Sequence, residues 1–428
     1  MAQFVIKGGK PLSGVVSPIG NKNAVLKMMA ASLLTSEPVV LYNVPGISDV
    51  DVMIQLLIDL GVNITYDRKK HILTLVSAQI KKTVIDPMLA KKMRSSNVLL
   101  GPLLARCGQV TGVLPGGDKI GPREMNAHFE GLAQLGARCI RRIKENDFVI
   151  RGTLRGAMVF LYEPSVTATE NVLLAAVLTK GTTIIENAAC EPHVKHLCLM
   201  LEQMGAHITG IGTNRLEIIG VTALRGTTYH VPADFIYIGT MVILAAITKG
   251  NLTVQGVTVD EVRPIVYFLE KLGVNVRFEK NNLMVSSRQR LAVNDTVWAR
   301  AKGVYSQPWP CFPSDMMSLM IVLATQVKGS TLFFEKMYPG RMFFADYLNG
   351  MGANIVIADP HRVIVNGPTL LHGAKLSSPD LRAGMAYVAA GLVARGQTVV
   401  DTIEHIDRGY PAIETVLHKL GADITRIS

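Results

Sequence analysis

Hydrophobic and polar positions along this chain repeat one phrase six times. Each copy opens on a small or charged turn and runs through a short β-branched stretch and an irregular connection. It then continues as a helical stretch and closes on Leu or Met, Gly, and Ala or Val. The closings are Leu60-Gly61-Val62, Leu135-Gly136-Ala137, Met204-Gly205-Ala206, Leu272-Gly273-Val274, Met351-Gly352-Ala353 and Leu420-Gly421-Ala422. Their spacing of roughly 70 residues exceeds the roughly 20–50 of common solenoid repeats, so each copy is a small α/β subdomain and not a single helix pair. The third copy illustrates the reading. Thr182 to Asn187 is a β-branched strand ending in turn residues. Val194, Leu197, Leu199, Leu201 and Met204 follow as an apolar face of imperfect helical period. Gly205 stands where a helix terminus takes a left-handed residue.

A βαβ-containing unit repeated six times, with helices turned inward and sheets outward, predicts an α/β protein of two domains with three units each. One domain is expected over 21–231. The other is expected over 1–20 plus 232–428, with the chain crossing near Ser17-Pro18-Ile19-Gly20 and near Val231-Pro232-Ala233. The strand Phe4 to Lys7 would then complete the C-terminal domain. The uncharged stretch Phe235 to Thr248 is too short for a membrane span and reads as a buried helix.

Composition narrows this picture. Roughly half of the residues are apolar and no segment has the low hydrophobicity of disorder. Near the N-terminus Lys7 and Lys10 precede no apolar segment, so no signal peptide is expected. The five cysteines show neither metal spacing nor a disulfide pattern, which points to a cytoplasmic protein without a metal site. The net charge of +11 is carried by dispersed basic residues with few interleaved aromatics. Dispersed charge fits a small polyanionic substrate, on which a cleft focuses positive potential, better than nucleic acid.

The copies are unequal. From the Gly before its strand to its closing Gly, the second copy (Gly108 to Gly136) is the longest by roughly four residues, and extra length in one repeat maps to a functional loop. The excess falls in Leu114 to Arg123, a mobile loop of three glycines and two prolines that carries Asp118 between Lys119 and Arg123.

Chemistry-bearing residues collect at predicted helix starts. Asn21 or Asn23 would cap the helical pattern Val25 to Leu34, with Lys22 beside an anion-favouring N-terminus. Arg94 heads the apolar stretch Asn97 to Ala105. Asp315 precedes Met317 to Leu323 as an N-cap or a general base. Asp380 with Arg382, and Asp407 with Arg408, stand in turns before helices as structural ion pairs or as ligands. Lys22, Arg94, Arg123, Arg382 and Arg408 fall in three different repeats spread over both expected domains, as an anion site built between two domains requires. Arg suits that task because its planar fork matches carboxylate and phosphate oxygens. No GxxxxGK[ST], GxSxG or HExxH pattern occurs, which argues against ATP-splitting, serine-hydrolase and zinc-protease chemistry.

Seven motifs in order then carry a resemblance. They are Gly20-Asn21-Lys22-Asn23-Ala24, Leu100-Gly101-Pro102-Leu103-Leu104-Ala105-Arg106, Leu114-Pro115-Gly116-Gly117, Ala168-Thr169-Glu170-Asn171, Phe312-Pro313-Ser314-Asp315-Met316, Asp380-Leu381-Arg382-Ala383 and His405-Ile406-Asp407-Arg408-Gly409-Tyr410. Over nearly its whole length the chain resembles the UDP-N-acetylglucosamine enolpyruvyl transferases. The resemblance implies a two-domain inside-out α/β barrel with its active site in the cleft between the domains. It implies an addition–elimination that moves the enolpyruvyl group of phosphoenolpyruvate onto the sugar 3-hydroxyl and releases phosphate, without cofactor or metal. In that role Lys22, Arg94, Arg123 and Arg408 would hold phosphoenolpyruvate and Arg382 would help close the site. Asp315 would take or orient the hydroxyl proton. Asn23, Arg94, Ser165, Val166, Thr167, Asp315 and Met337 would contact the nucleotide sugar. Asp118 would supply the proton that the methylene carbon receives.

The chain departs from the family pattern at named positions. Most members carry Cys where Asp118 stands, so resistance to fosfomycin, which alkylates that thiol, is expected. The flanking Lys119 and Arg123 favour the anionic form of Asp118, whereas its role needs the proton, so loop closure and the substrate's own anions must reverse that balance. The usual Arg-Pro-Val-Asp-Leu-His reads Arg123-Glu124-Met125-Asn126-Ala127-His128, Glu163 replaces a Lys, and Thr167 replaces a Gly. These changes keep two alternatives in play: an enolpyruvyl transferase for another nucleotide or sugar, and a non-catalytic nucleotide-sugar-binding paralogue.

Overall fold

The computed structural model describes residues 2–118, 120–121, 123–142, 147–293 and 303–427. The chain divides into two units. The first comprises Gly20–Gly117 and Arg123–Pro232; the second comprises Met1–Ile19, Asp118–Pro122 and Ala233–Ser428. Each has its own hydrophobic core.

Each unit holds three sheets of one design. In the first unit the strand order Thr227–His230, Val39–Tyr42, Ile72–Val76, Asn63–Asp67 joins one parallel pair to two antiparallel ones. The order Met158–Phe160, Thr182–Glu186, Arg215–Ile219, His207–Thr209 repeats it. The third sheet, Gln109–Gly112, Asp147–Arg151, Arg138–Arg142, has three strands, and a parallel bridge from Val84 to Thr111 supplies the missing edge. In the second unit the orders are Gly14–Val16, Leu252–Val254, Asn282–Val285, Val276–Glu279, then Gly303–Tyr305, Gly329–Phe334, Arg362–Gly367, Ile355–Asp359, then Lys375–Ser377, Gln397–Asp401, Gln3–Lys7, Asp423–Ile427. The sixfold phrase is thus a sixfold sheet pattern. Its closings share one physical cause: all six closing glycines have φ between +79° and +107°, the left-handed conformation that ends a helix.

Helices sort into two kinds. Lys22–Ala31, Leu100–Cys107 and Val166–Ala176 in the first unit are buried along most or all of their length. So are Phe235–Ile247, Met317–Ala324 and Leu381–Val393 in the second, where all 13 residues of Phe235–Ile247 are buried. A helix apolar all round needs neighbours all round, so these six form the core. The helices before the closings, such as Ser48–Leu60 and Val259–Lys271, bury one face only. No helix among the described residues is long and apolar enough to cross a membrane.

Two boundaries differ from the periodicity reading. The helix expected over Val25 to Leu34 begins at Lys22, because the Asn21 side chain accepts the Ala24 N–H at 2.9 Å, and its last turn tightens to a 3₁₀ helix over Ser32–Leu34. The stretch expected over Asn97 to Ala105 enters as a 3₁₀ helix, Arg94–Leu99, and becomes α-helical only over Leu100–Cys107. There the Ser96 hydroxyl donates to the carbonyls of Ala90 and Met93, competing with regular helix bonding.

Candidate active site

Five of the six buried helices begin at or soon after residues singled out from sequence, Phe235–Ile247 being the exception, and each unit gathers its own group. In the first unit the Lys22 ammonium lies 2.7 Å from Asp49 Oδ2, and both side chains are buried. Asn21 caps the same helix and Asn23 is its second residue. Capping leaves the helix N-terminus intact as a favourable place for an anion beside the Lys22 charge.

Arg94 opens the 3₁₀ turn, and its Nη2 donates to the Glu124 carbonyl at 2.9 Å. The loop glycines next to it are sterically required. A Cβ at Gly116 would lie 1.7 Å from the Lys91 carbonyl oxygen. A Cβ at Gly117, where φ is +117°, would press against Arg94 Cβ and Arg123 Nη2, each 3.0 Å away. Absent side chains therefore let Arg94 and Arg123 approach the same stretch of backbone.

Ser165 is the N-cap residue of Val166–Ala176, and its carbonyl accepts from both the N–H and the hydroxyl of Thr169. Thr167 is tied to a buried imidazole: its Oγ1 lies 3.0 Å from His128 Nε2. Asn171 Oδ1 accepts the Gly101 N–H at 2.7 Å, so Asn171 Nδ2 donates to His128 Nδ1 at 2.9 Å. His128 Nε2 in turn faces Thr167 Oγ1 at 3.0 Å and the Asn97 amide nitrogen at 3.3 Å. Burial, helped by the nearby Arg94 charge, holds His128 neutral down to about 3. Beside this group Glu163 is pushed above its ordinary value by burial and by Glu124, with Arg94 opposing.

The second unit holds the two carboxylates. Asp315 lies in the 3₁₀ turn Ser314–Met316 ahead of Met317–Ala324, but it is not a cap. Its Oδ2 accepts from Arg382 Nη2 at 2.7 Å and its Oδ1 from Arg341 Nη2 at 3.1 Å. Both arginines are buried, at 7 % and 4 % exposure, while the Asp315 side chain keeps 31 %. Burial alone would lower Arg382, but Asp315, together with Tyr410 and Asp234, outweighs it and raises the guanidinium above its ordinary value. Arg382 Nη1 also reaches the Tyr410 hydroxyl at 3.3 Å. Asp380 is the structural member of its pair: it caps Leu381–Val393 by accepting from the N–H groups of Arg382 and Ala383. Asp407 likewise pairs with Arg426 at 2.6 Å and leaves Arg408 to another partner.

That partner is Asp118, which forms an ion pair with Arg408. The loop residue beyond it is anchored too, since the Ile120 carbonyl accepts the Gly340 N–H at 2.9 Å. Lys119, expected to flank Asp118, lies outside the described residues. Met337 is 39 % exposed, four residues before Arg341.

Sequence reasoning missed Arg341 and Asp49. Arg341 had a signal: Pro339-Gly340 ahead of it marks the same kind of turn-borne Arg as the others. Asp49 stands in the first turn of Ser48–Leu60, and nothing local names Lys22 as its partner. Among the described residues no group of three or more His, Cys, Asp or Glu is placed to hold a metal. The chemistry available is thus fixed cations at helix starts for anions, and two carboxylates for proton traffic.

Residues 6–417 match the family described as EPSP synthase (3-phosphoshikimate 1-carboxyvinyltransferase). The UDP-N-acetylglucosamine 1-carboxyvinyltransferase of Borrelia garinii subsp. bavariensis is 45% identical over 428 residues, covering 100% of this chain and 99% of that protein. That of Treponema pallidum is 45% identical over 424 residues, covering 99% of each. Among solved structures, the enolpyruvyl transferase NikO from Streptomyces tendae superposes with a TM-score of 0.88 at 22% identity, over 99% of this chain and 98% of that one. EPSP synthase from Acinetobacter baumannii follows at 0.76 and 19%, over the full length of both. These two establish the fold: a two-domain inside-out α/β architecture of six repeats. The chain belongs to the EPSP synthase family and, within it, to the UDP-N-acetylglucosamine 1-carboxyvinyltransferases.

Proposed function

We infer that this protein transfers the enolpyruvyl group of phosphoenolpyruvate to the 3-hydroxyl of UDP-N-acetylglucosamine and releases phosphate, the first committed step of peptidoglycan synthesis, in the cytoplasm. The observation that carries the reading is Asp315 held at a helix start between two buried guanidiniums, in a chain that also pairs a second carboxylate, Asp118, with Arg408. Addition needs both carboxylates. Asp315 takes the hydroxyl proton as the acceptor oxygen attacks C2 of phosphoenolpyruvate, and Asp118 gives a proton to the methylene carbon. Elimination then removes a proton from the new methyl group and expels phosphate. Lys22, Arg94, Arg123 and Arg408 neutralise the phosphate and carboxylate, and Arg382 fixes Asp315. Asn23, Ser165, Val166, Thr167 and Met337 contact the nucleotide sugar.

The Asp118–Arg408 pair supplies the timing. The phosphate and carboxylate of phosphoenolpyruvate compete for Arg408, and a substrate that takes Arg408 releases Asp118 toward the methylene carbon.

A second reading has its own observation. Glu163 and Glu124 interact electrostatically near Arg94, which favours an acceptor less anionic than a nucleoside diphosphate sugar. Phosphate release from phosphoenolpyruvate, measured against a panel of acceptors, decides. Turnover with UDP-N-acetylglucosamine supports the main reading. Turnover only with another acceptor supports the second, and binding without turnover leaves a non-catalytic paralogue.

A further inference from the structure

Glu335 follows the strand Gly329–Phe334 and is fully buried at 0 % exposure. A carboxylate in such a place survives only if its oxygens are saturated with donors. Oε1 accepts from the Ser306 hydroxyl at 2.8 Å, the Met337 N–H at 2.9 Å and the Tyr338 N–H at 3.2 Å. Oε2 accepts from the Ser314 hydroxyl at 2.6 Å. Ser306 Oγ in turn accepts the Lys336 N–H at 3.0 Å. One carboxylate thus binds the turn after the strand by its backbone and binds Ser314, the residue before Asp315, by its side chain.

That turn reaches both proton-handling carboxylates. Its Gly340 N–H donates to the Ile120 carbonyl, two residues from Asp118, at 2.9 Å. Its Arg341 donates to Asp315 at 3.1 Å. The contacts close a ring: Glu335 to Ser314, Ser314 to Asp315 along the chain, Asp315 to Arg341, and Arg341 back along the turn to Glu335.

The geometry points to Glu335 as a positioning residue for the transfer reaction: through Ser314 it sets Asp315, and through the turn 336–341 it sets Arg341 and the seat of the Asp118 loop. It touches no reacting atom. Its effect is geometric, because displacing a reacting group by about 1 Å costs about 10²-fold in rate. The inference rests on the roles given above to Asp315 and Asp118.

Steady-state kinetics of single variants of the full chain test it. Ser314→Ala cuts only the tether to Asp315; kcat is expected to fall about tenfold or more while both KM values stay within about twofold, the signature of an interaction that matters in the transition state. Ser306→Ala loosens the turn that carries Met337; the acceptor KM is expected to rise about tenfold with a smaller change in kcat. Glu335→Ala should lose about 100-fold in kcat. Glu335→Gln should recover most of it, since the amide oxygen replaces Oε1 and the Ser314 hydroxyl can turn to accept from the amide nitrogen. If Glu335→Ala does not fold, the two serine variants decide. Losses that rise in parallel in kcat and KM and track the melting temperature would mean a purely structural carboxylate and overturn the inference, as would wild-type kcat in folded Glu335→Ala. Asp315→Ala and Asp118→Ala separate the two levels. If they keep turnover, the reading of the site is wrong. If they are inactive while Glu335→Ala and Ser314→Ala work normally, only the role of Glu335 is wrong.

Discussion

Asp118 pairs with Arg408, and the proposed mechanism also has it protonate carbon. Replacement by Asn keeps the size and removes the proton. Asp118→Asn is therefore expected to lower kcat by about 10²–10⁴-fold and to abolish the alkaline fall of the kcat profile that a required acid produces. An unchanged profile would remove Asp118 from the acid role. A carboxylate also lacks the nucleophilicity of a thiolate. Wild-type enzyme should show no time-dependent loss of activity with fosfomycin, and Asp118→Cys should acquire it. Asp118 was legible because it interrupts a repeat. Glu335 was not, because its importance lies in what it touches: Ser314 stands 21 residues before it.

Among elements, the buried helix starts of the first unit depend on a neutral hub. His128 bonds Asn171 and Thr167 and stays uncharged down to about 3, chiefly through burial. Its unfolded value lies near 6.5, so the unfolded chain binds the extra proton first. The stability of the neutral ring is fully present above about pH 6.5 and is lost as pH falls toward about 3, by about 1.4 kcal/mol per pH unit. Urea midpoints between those values should fall more steeply for wild type than for His128→Asn. The loop depends instead on missing atoms. Gly116→Ala drives a Cβ into the Lys91 carbonyl, so the loop must shift, and kcat/KM should drop by about 10²-fold with little change in melting temperature. Helix and strand types were legible from period, because period reflects which face is buried. The 3₁₀ entry at Arg94–Leu99 was not, because the Ser96 side-chain bonds that favour it involve specific partners.

At the scale of the whole molecule, both termini belong to one unit. Gln3–Lys7 is an interior strand, paired with Gln397–Asp401 on one side and Asp423–Ile427 on the other, and its Phe4 and Ile6 are fully buried. Removing residues 1–8 therefore takes the middle from a sheet and a piece from a core. Limited proteolysis of that truncation should digest 233–428 and spare 20–232; equal protection of both segments would show that the strand is dispensable. The repeat pattern also explains the two chain crossings. Gly14–Val16 pairs in parallel with Leu252–Val254, and Thr227–His230 with Val39–Tyr42, so with Gln3–Lys7 three of the six sheets are completed by strands distant in sequence.

Sequence alone determined the repeat, the element types, the buried helices and the placement of charged residues at helix starts. Each of these follows from local periodicity and turn chemistry, which act between residues near one another in the chain. Tertiary structure decided which cation meets which carboxylate. Asp315 takes Arg341 and Arg382, and Asp118 takes Arg408, 290 residues away. Asp380 and Asp407, alike in sequence context, serve as a cap and a structural pair. Partner choice depends on distances that exist only after the sheets and helices have packed, and no local pattern encodes them.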